Sequence, residues 1–167
     1  TAVTAQVIRA ATGAGAGADI LVGFGFRWNV NLIPTSDIDF YVSASDSASI
    51  LRLRLKAVTG DLKIVDANNT EIATVTAPFA QNTWYYVEIY HEEAASAVAT
   101  LFIDNAQVAT VSGQDFLGFG SPNKSEFTGS LVVGEDIWID DIYGLLNSTA
   151  ASDRYGPSEV FAYQTGN

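Results

Sequence analysis

The sequence has no cysteine, no methionine and a single histidine. Without cysteine there is neither a disulfide framework nor a thiolate metal or redox site, so packing alone must hold the fold. Any Ser-His-Asp triad or histidine-ligated metal would have to be built around His91. That residue follows a strand and precedes Glu92 and Glu93, where a surface histidine is the expectation. Basic residues are scarce, 8 against 19 acidic ones, for a net charge of −11. Such a balance opposes a broad nucleic-acid surface and adhesion to an anionic membrane. No apolar run approaches the ~20 residues of a membrane helix. The opening TAVTAQVIRAATG lacks the basic-then-apolar plan of a signal peptide. Without an initiator methionine, Thr1 follows either removal of that residue or cleavage of a longer precursor. Helical periodicity is also missing, and TGAGAGA reads as a flexible link rather than a phosphate-binding loop.

What is present is a strand pattern. A chain of 167 residues most simply forms one domain, large enough to bury roughly 70% of its unfolded surface. In DILVGFGFRWNVNL, residues 19–32, Ile20, Val22, Phe24, Phe26, Trp28, Val30 and Leu32 alternate with Leu21, Gly23, Gly25, Arg27, Asn29 and Asn31. Seven apolar positions at period two describe a long strand with one buried face. The two glycines on the other face let the sheet bend or another backbone approach. A short strand is expected over Thr4–Ala11 and another over Ile38–Ser43.

Between Ser49 and Val58, Leu51, Leu53 and Leu55 share one face, and Arg52, Arg54 and Lys56 share the other. That basic row is either a solvated face balancing an acidic protein or a docking strip for acidic groups. Thr59-Gly60-Asp61, Asn68-Asn69 and Asp104-Asn105 read as hairpin turns. DANNTE, with Asp66, Asn68 and Glu71, lacks the Gly and the distant bidentate Glu of a calcium loop and reads as a turn. In NTWYYVEIYH, residues 82–91, Tyr85, Val87 and Ile89 share one face, and Trp84, Tyr86, Glu88 and Tyr90 the other.

The stretch from Gly113 to Gly129 breaks the rhythm and carries Phe116, Leu117, Phe119 and Phe127. So many apolar side chains either fold back over an open end of the sandwich or dock on a partner. One or two strands follow in LVVGEDIWIDDIYGLL, and a last short one is expected near Val160–Tyr163. Strands and turns at regular spacing predict an all-β sandwich of two antiparallel sheets. The expected organisation is one domain over 1–167, with a strand and link in 1–18 and a C-terminal extension in 147–167.

Three blocks resemble the concanavalin A-like (laminin-G-like) jelly roll, in the divergent form found in virion proteins of tailed bacteriophages. NTWYYVEIY is similar to that family's Asn-x-Trp-Tyr-x-Val-Glu strand, and LFIDNAQVATV to its Val-x-Ile-Asp-Gly-x-x-Val hairpin. IDDIYGLLNSTAASDRYGPSEVFAY is similar to the Ile-Asp-Asp-Ile/Val-Tyr strand and the trailing segment of phage versions. Asn105-Ala106 departs from the usual Asp-Gly turn. The N-terminal extension common in larger members has no counterpart here, which argues against a larger tail-fibre role.

The resemblance implies a non-enzymatic virion protein, most simply a capsid decoration (cement) or head-fibre protein on the particle surface. Its partners would be the major capsid protein, other virion proteins or further copies of itself. Phe116, Leu117, Phe119, Phe127 and the basic row are the candidate contacts. The alternative is a lectin-like module for host or polysaccharide adsorption, with Trp84, Tyr86 and Tyr90 as a stacking platform.

Glucanase relatives place Glu-x-Asp-x-Glu on one strand face. The matching positions here are Asp136, Trp138 and Asp140, with tryptophan in place of the middle carboxylate, so no catalytic residue is expected. No cofactor is expected either. A structural calcium held by Glu135, Asp136, Asp140 and Asp141 is a second reading of that acidic run, against solvated carboxylates at a strand end.

Overall fold

The computed structural model describes residues 3–4, 19–29, 36–45, 48–120, 122, 124–127, 130–131, 136–146 and 154. The strands expected over Thr4–Ala11 and Val160–Tyr163 lie outside these residues, apart from Thr4. So do the Gly/Ala link, Val30, Leu32 and Glu135.

Twelve strands are described: β1 (Val3–Thr4), β2 (Ile20–Asn29), β3 (Ile38–Ala44), β4 (Ser49–Leu55), β5 (Leu62–Asp66), β6 (Glu71–Val75), β7 (Tyr85–His91), β8 (Ala97–Ile103), β9 (Ala106–Gln114), β10 (Lys124–Glu126), β11 (Ser130–Leu131) and β12 (Asp136–Leu146). Among the described residues there is no α-helix, only one 3-10 turn at Leu117–Phe119. Two five-stranded sheets, ordered β10-β3-β4-β5-β6 and β12-β2-β7-β8-β9, face each other, and β1 pairs with β11. Every pairing is antiparallel. The all-β, two-sheet antiparallel sandwich is thus as the alternation predicts.

The β2 stripe forms the centre of the core. Ile20, Val22, Phe24, Phe26 and Trp28 are buried against Leu51, Leu53 and Leu55 of β4 and Val87 and Ile89 of β7. Phe24 meets Phe40 edge-on at 6.2 Å and Phe127 at 4.9 Å between ring centres, and Phe26 lies 4.6 Å from Phe40. A register shift between Asp39 and Tyr41 in β3 adds one residue, and Phe40 and Tyr41 both enter the core. A bulge reverses the side-chain alternation in this way.

Tight turns close the hairpins. Asp104 and Asn105 both adopt positive φ, +48° and +69°, as a two-residue type I′ turn requires. In the DANNTE turn, Asp66 Oδ1 accepts from Thr70 N at 2.7 Å, and Asn69 has φ +64°.

The irregular stretch from Gly113 to Gly129 contains more structure than its sequence suggests. It includes the end of β9, the 3-10 turn and β10. Phe116 N donates to Ala94 O at 3.1 Å, and Ser45 Oγ donates to Phe119 O at 2.8 Å. Phe116 and Phe127, expected as partner contacts, belong to the core. Burying two phenyl rings removes apolar area from water, which outweighs the ordering of the chain around them.

Candidate functional site

The outer face of the β2 sheet gathers the side chains with chemical potential. Gly25 pairs with Asp140 of β12 on one side and Tyr86 of β7 on the other. That row continues to Asp104, whose N–H donates to Tyr86 O at 2.8 Å and whose Oδ1 accepts from Tyr86 N at 2.7 Å. A cleft of about 430 Å³ opens over this row, bordered by Gly25, Trp84, Tyr86, Asp104, Asp140 and Asp141.

Glycine forms the floor because neighbours come close. A Cβ at Gly23 would lie 2.2 Å from the Tyr143 ring. One at Gly25 would lie 3.3 Å from Asp140 O and 3.6 Å from the Trp84 indole. A side chain at Gly23 would have to displace the Tyr143 ring, and one at Gly25 would crowd the Asp140 carbonyl.

Trp84 stands 47% exposed at the rim, on a segment fixed at three points. Phe79 packs 4.8 Å from Phe26, Ala80 N donates to Tyr85 Oη at 2.8 Å, and Asn82 N donates to Trp28 O at 2.9 Å. Asn82 has φ +57°, a conformation asparagine tolerates better than most residues. Trp138, opposite Arg27 in register, is 37% exposed. The Arg27 guanidinium carbon lies 5.9 Å from the Trp84 ring centre and 4.9 Å from that of Trp138, so one cation engages both exposed indoles. A bulge shapes the acidic wall. The β12 register shifts between Asp140 and Tyr143, and Asp141 carries φ +48°. Asp140 Oδ1 accepts from Asp141 N at 2.9 Å.

The expected stacking platform takes a different form. Tyr86 and Tyr90 are buried and cannot present a face to a sugar, which leaves Trp84 as the open ring of the three. Tyr90 Oη donates to Asp19 Oδ2 at 3.0 Å. Glu88, on the same face, is fully buried between Tyr143 Oη and Arg154 Nη1. Arg154 also lies 3.7 Å over the Phe102 ring. Burial first, then the charges of Glu88 and Asp141, raise the pKa of Tyr86 well above the ordinary phenol value.

The basic row is not an open docking strip. Arg54 forks onto Asp39 with bonds of 2.6 and 2.9 Å, Arg52 and Arg54 both reach Asn69 Oδ1, and Lys56 bridges Asp37 and Glu71. Arg54 and Lys56 are balanced by carboxylates on β3, just before β3 and on β6, and Arg52 is tied to the neutral Asn69 amide. Leu117 of the former apolar loop is 46% exposed and Phe119 half-buried. His91 is fully buried rather than on the surface, with Nε2 2.9 Å from Ser43 Oγ of the facing sheet. It continues the inward parity of Tyr85, Val87 and Ile89, a signal its polarity masks. Among the described residues no three carboxylates or histidines gather to hold a metal ion.

Sequence reasoning missed Gly25, Arg27 and Asp104 as one site, and with them the partnership of Trp84 and Trp138. Their union depends on the β2–β7 and β2–β12 registers. The outward alternation of Asp136, Trp138 and Asp140 was its one local trace.

No protein-family model matches the chain, and no curated protein matches it in sequence. Solved structures do resemble it. A structure of botulinum neurotoxin type C, whose cell entry depends on interaction with two ganglioside molecules, aligns with a TM-score of 0.57 and 13% identity, over 76% of this chain and 32% of that one. The binding domain of botulinum neurotoxin DC, in complex with rat synaptotagmin II, gives 0.57 and 14% over the same shares. An alginate lyase from Corynebacterium sp. gives 0.53 and 13% over 84% of this chain and 62% of that one. The chain therefore spans about a third of the neurotoxin chains. At such identities the likeness defines a class by fold alone: a β-sandwich of the jelly-roll kind, an architecture shared with receptor-binding domains.

Proposed function

We propose that this chain is a non-catalytic recognition domain that binds a glycan in the cleft beside Trp84. The observation that carries this reading is an exposed indole held over a glycine floor and faced by carboxylates. An indole offers a flat apolar surface to the C–H face of a pyranose ring, and carboxylates accept its hydroxyl donors. Because strands position the floor and walls, the site is largely preformed. Fold-level analogy with a neurotoxin whose cell entry depends on gangliosides and with an alginate lyase adds support.

Catalysis is disfavoured by spacing. Asp136 and Asp140 are four residues apart on one strand face, about 13 Å at the backbone, with Trp138 between them. Retaining hydrolysis needs carboxyl groups only ~5 Å apart. The capsid-contact reading loses Phe116 and Phe127 to the core, and Arg54 and Lys56 of the basic row to internal ion pairs. The sequence resemblance still supports display on a phage particle, where such a cleft would meet host surface polysaccharide.

A glycan array probed with the whole chain tests the proposal. The expected result is a saturable signal for a defined sugar, abolished by Trp84→Ala while the unfolding midpoint holds. A blank array, or a signal indifferent to Trp84→Ala, would reject it.

A further inference from the structure

Three carboxylates, Asp104, Asp140 and Asp141, border the cleft, offset in part by one cation beside it, the Arg27 guanidinium 5.9 Å from the Trp84 ring centre. Asp104 and Asp140 each commit one oxygen to a backbone N–H, and the Asp141 carboxylate accepts no hydrogen bond among the described residues. Exposed carboxylates are commonly just solvated. Tyr86 distinguishes this cluster, because it lines the same cleft at 6% exposure and its hydroxyl has no hydrogen-bond partner among the described residues. A buried hydroxyl left unpaired is destabilising until a ligand or water satisfies it. Trp84 adds a π-face, which attracts cations. The recognition surface is therefore rich in acceptors and aromatic, and with three carboxylates against Arg27 it is net negative.

An ammonium group has the opposite character, with three donors, no acceptor and a positive charge. Building on the glycan reading above, we propose that the cleft takes a sugar bearing a free amine, of the glucosamine type. Its ammonium lies against Asp140 and Asp141, its ring stacks on Trp84, and a neighbouring hydroxyl pairs with Tyr86. N-acetylation removes the charge and two donors, and a polyuronate meets repulsion from all three carboxylates.

Calorimetric titration of the whole chain with a glucosamine tetramer, its N-acetylated counterpart and pentalysine tests this. The glucosamine tetramer should bind at least tenfold tighter than the N-acetylated one, and added salt should shrink the gap. Replacing Asp140 and Asp141 by Asn should bring the two sugars within about threefold. Tyr86→Phe should weaken the sugar roughly tenfold without lowering the unfolding midpoint, since its hydroxyl bonds none of the described residues. A merely structural tyrosine would instead lower the midpoint and spare affinity. Equal affinity for the two tetramers overturns the amine preference and leaves the glycan reading standing. Pentalysine binding as tightly as the sugar identifies a basic peptide as the ligand and overturns the proposal. Failure of every sugar to bind, with the fold intact, rejects the glycan reading itself.

Discussion

Lowering the pH from about 7.5 to about 5 should destabilise the fold by about 2 kcal/mol through one residue, His91. The imidazole is fully buried between the sheets, bonded to Ser43 Oγ, with the Phe116 ring edge-on at 5.9 Å. Burial pushes its pKa down from 6.5 to about 4, against the smaller opposing influences of the Glu92 backbone, Asp19 and Glu93. The unfolded chain thus binds a proton below about pH 6.5 that the folded protein resists. The stability associated with a neutral His91 is complete above that value and is lost as pH falls toward 4. Each unit between the two values is worth about 1.4 kcal/mol, so most of a unit and a half is felt by pH 5. Asp37 and Glu71 have lowered pKa values. For Asp37 burial pushes upward, but the Lys56 bond, the Ala57 N–H and the charges of Lys56 and Arg54 together outweigh it; for Glu71 the Lys56 bond leads the lowering. Their contribution is lost only at more acid pH, outside the window. Urea unfolding at the two pH values, for the parent chain and for His91→Gln, isolates the effect. The variant should lose the pH dependence between them. An unchanged slope in His91→Gln, or equal parent stability at both pH values, would refute the reasoning.

Other substitutions test the packing. Phe116→Ala should cost about 3–5 kcal/mol by opening a cavity in the core, whereas Leu117→Ser, one residue away and exposed, should stay within about 0.5 kcal/mol; chemical denaturation of both decides whether the loop is core or docking surface. Gly23→Ala should destabilise by about 1–3 kcal/mol because its methyl meets the Tyr143 ring, and Tyr143→Ala in the same chain should recover part of that loss. Circular dichroism should be β-dominated; a helical fraction near a third would contradict the fold.

Where one strand carries its own pattern, the sequence is legible. The β2 stripe and the β4 leucines alternate strictly, and the inward face of each reads correctly from period two, but the other face of β2 does not, since Leu21, Gly23 and Gly25 are buried as well. Local alternation says nothing of what covers the far face of a sheet. Glu88, Tyr86 and Tyr90 share a polar-looking face, yet Glu88 is sealed by Tyr143 and Arg154, 55 and 66 residues away. The bulges in β3 and β12 were likewise hidden, since an inserted residue looks like any other until register is known. So the sequence names Trp84 and the acidic run separately, and only the β2–β7 and β2–β12 pairings bring them to one cleft.

The central claim is that Trp84 reads a glycan on a preformed face. Tryptophan emission tests it directly, because Trp28 is buried while Trp84 and Trp138 are exposed. Titration with the best array sugar should give a saturable blue shift in the parent chain, and that shift should vanish with the affinity in Trp84→Ala. Undiminished sugar binding by Trp84→Ala would contradict the account.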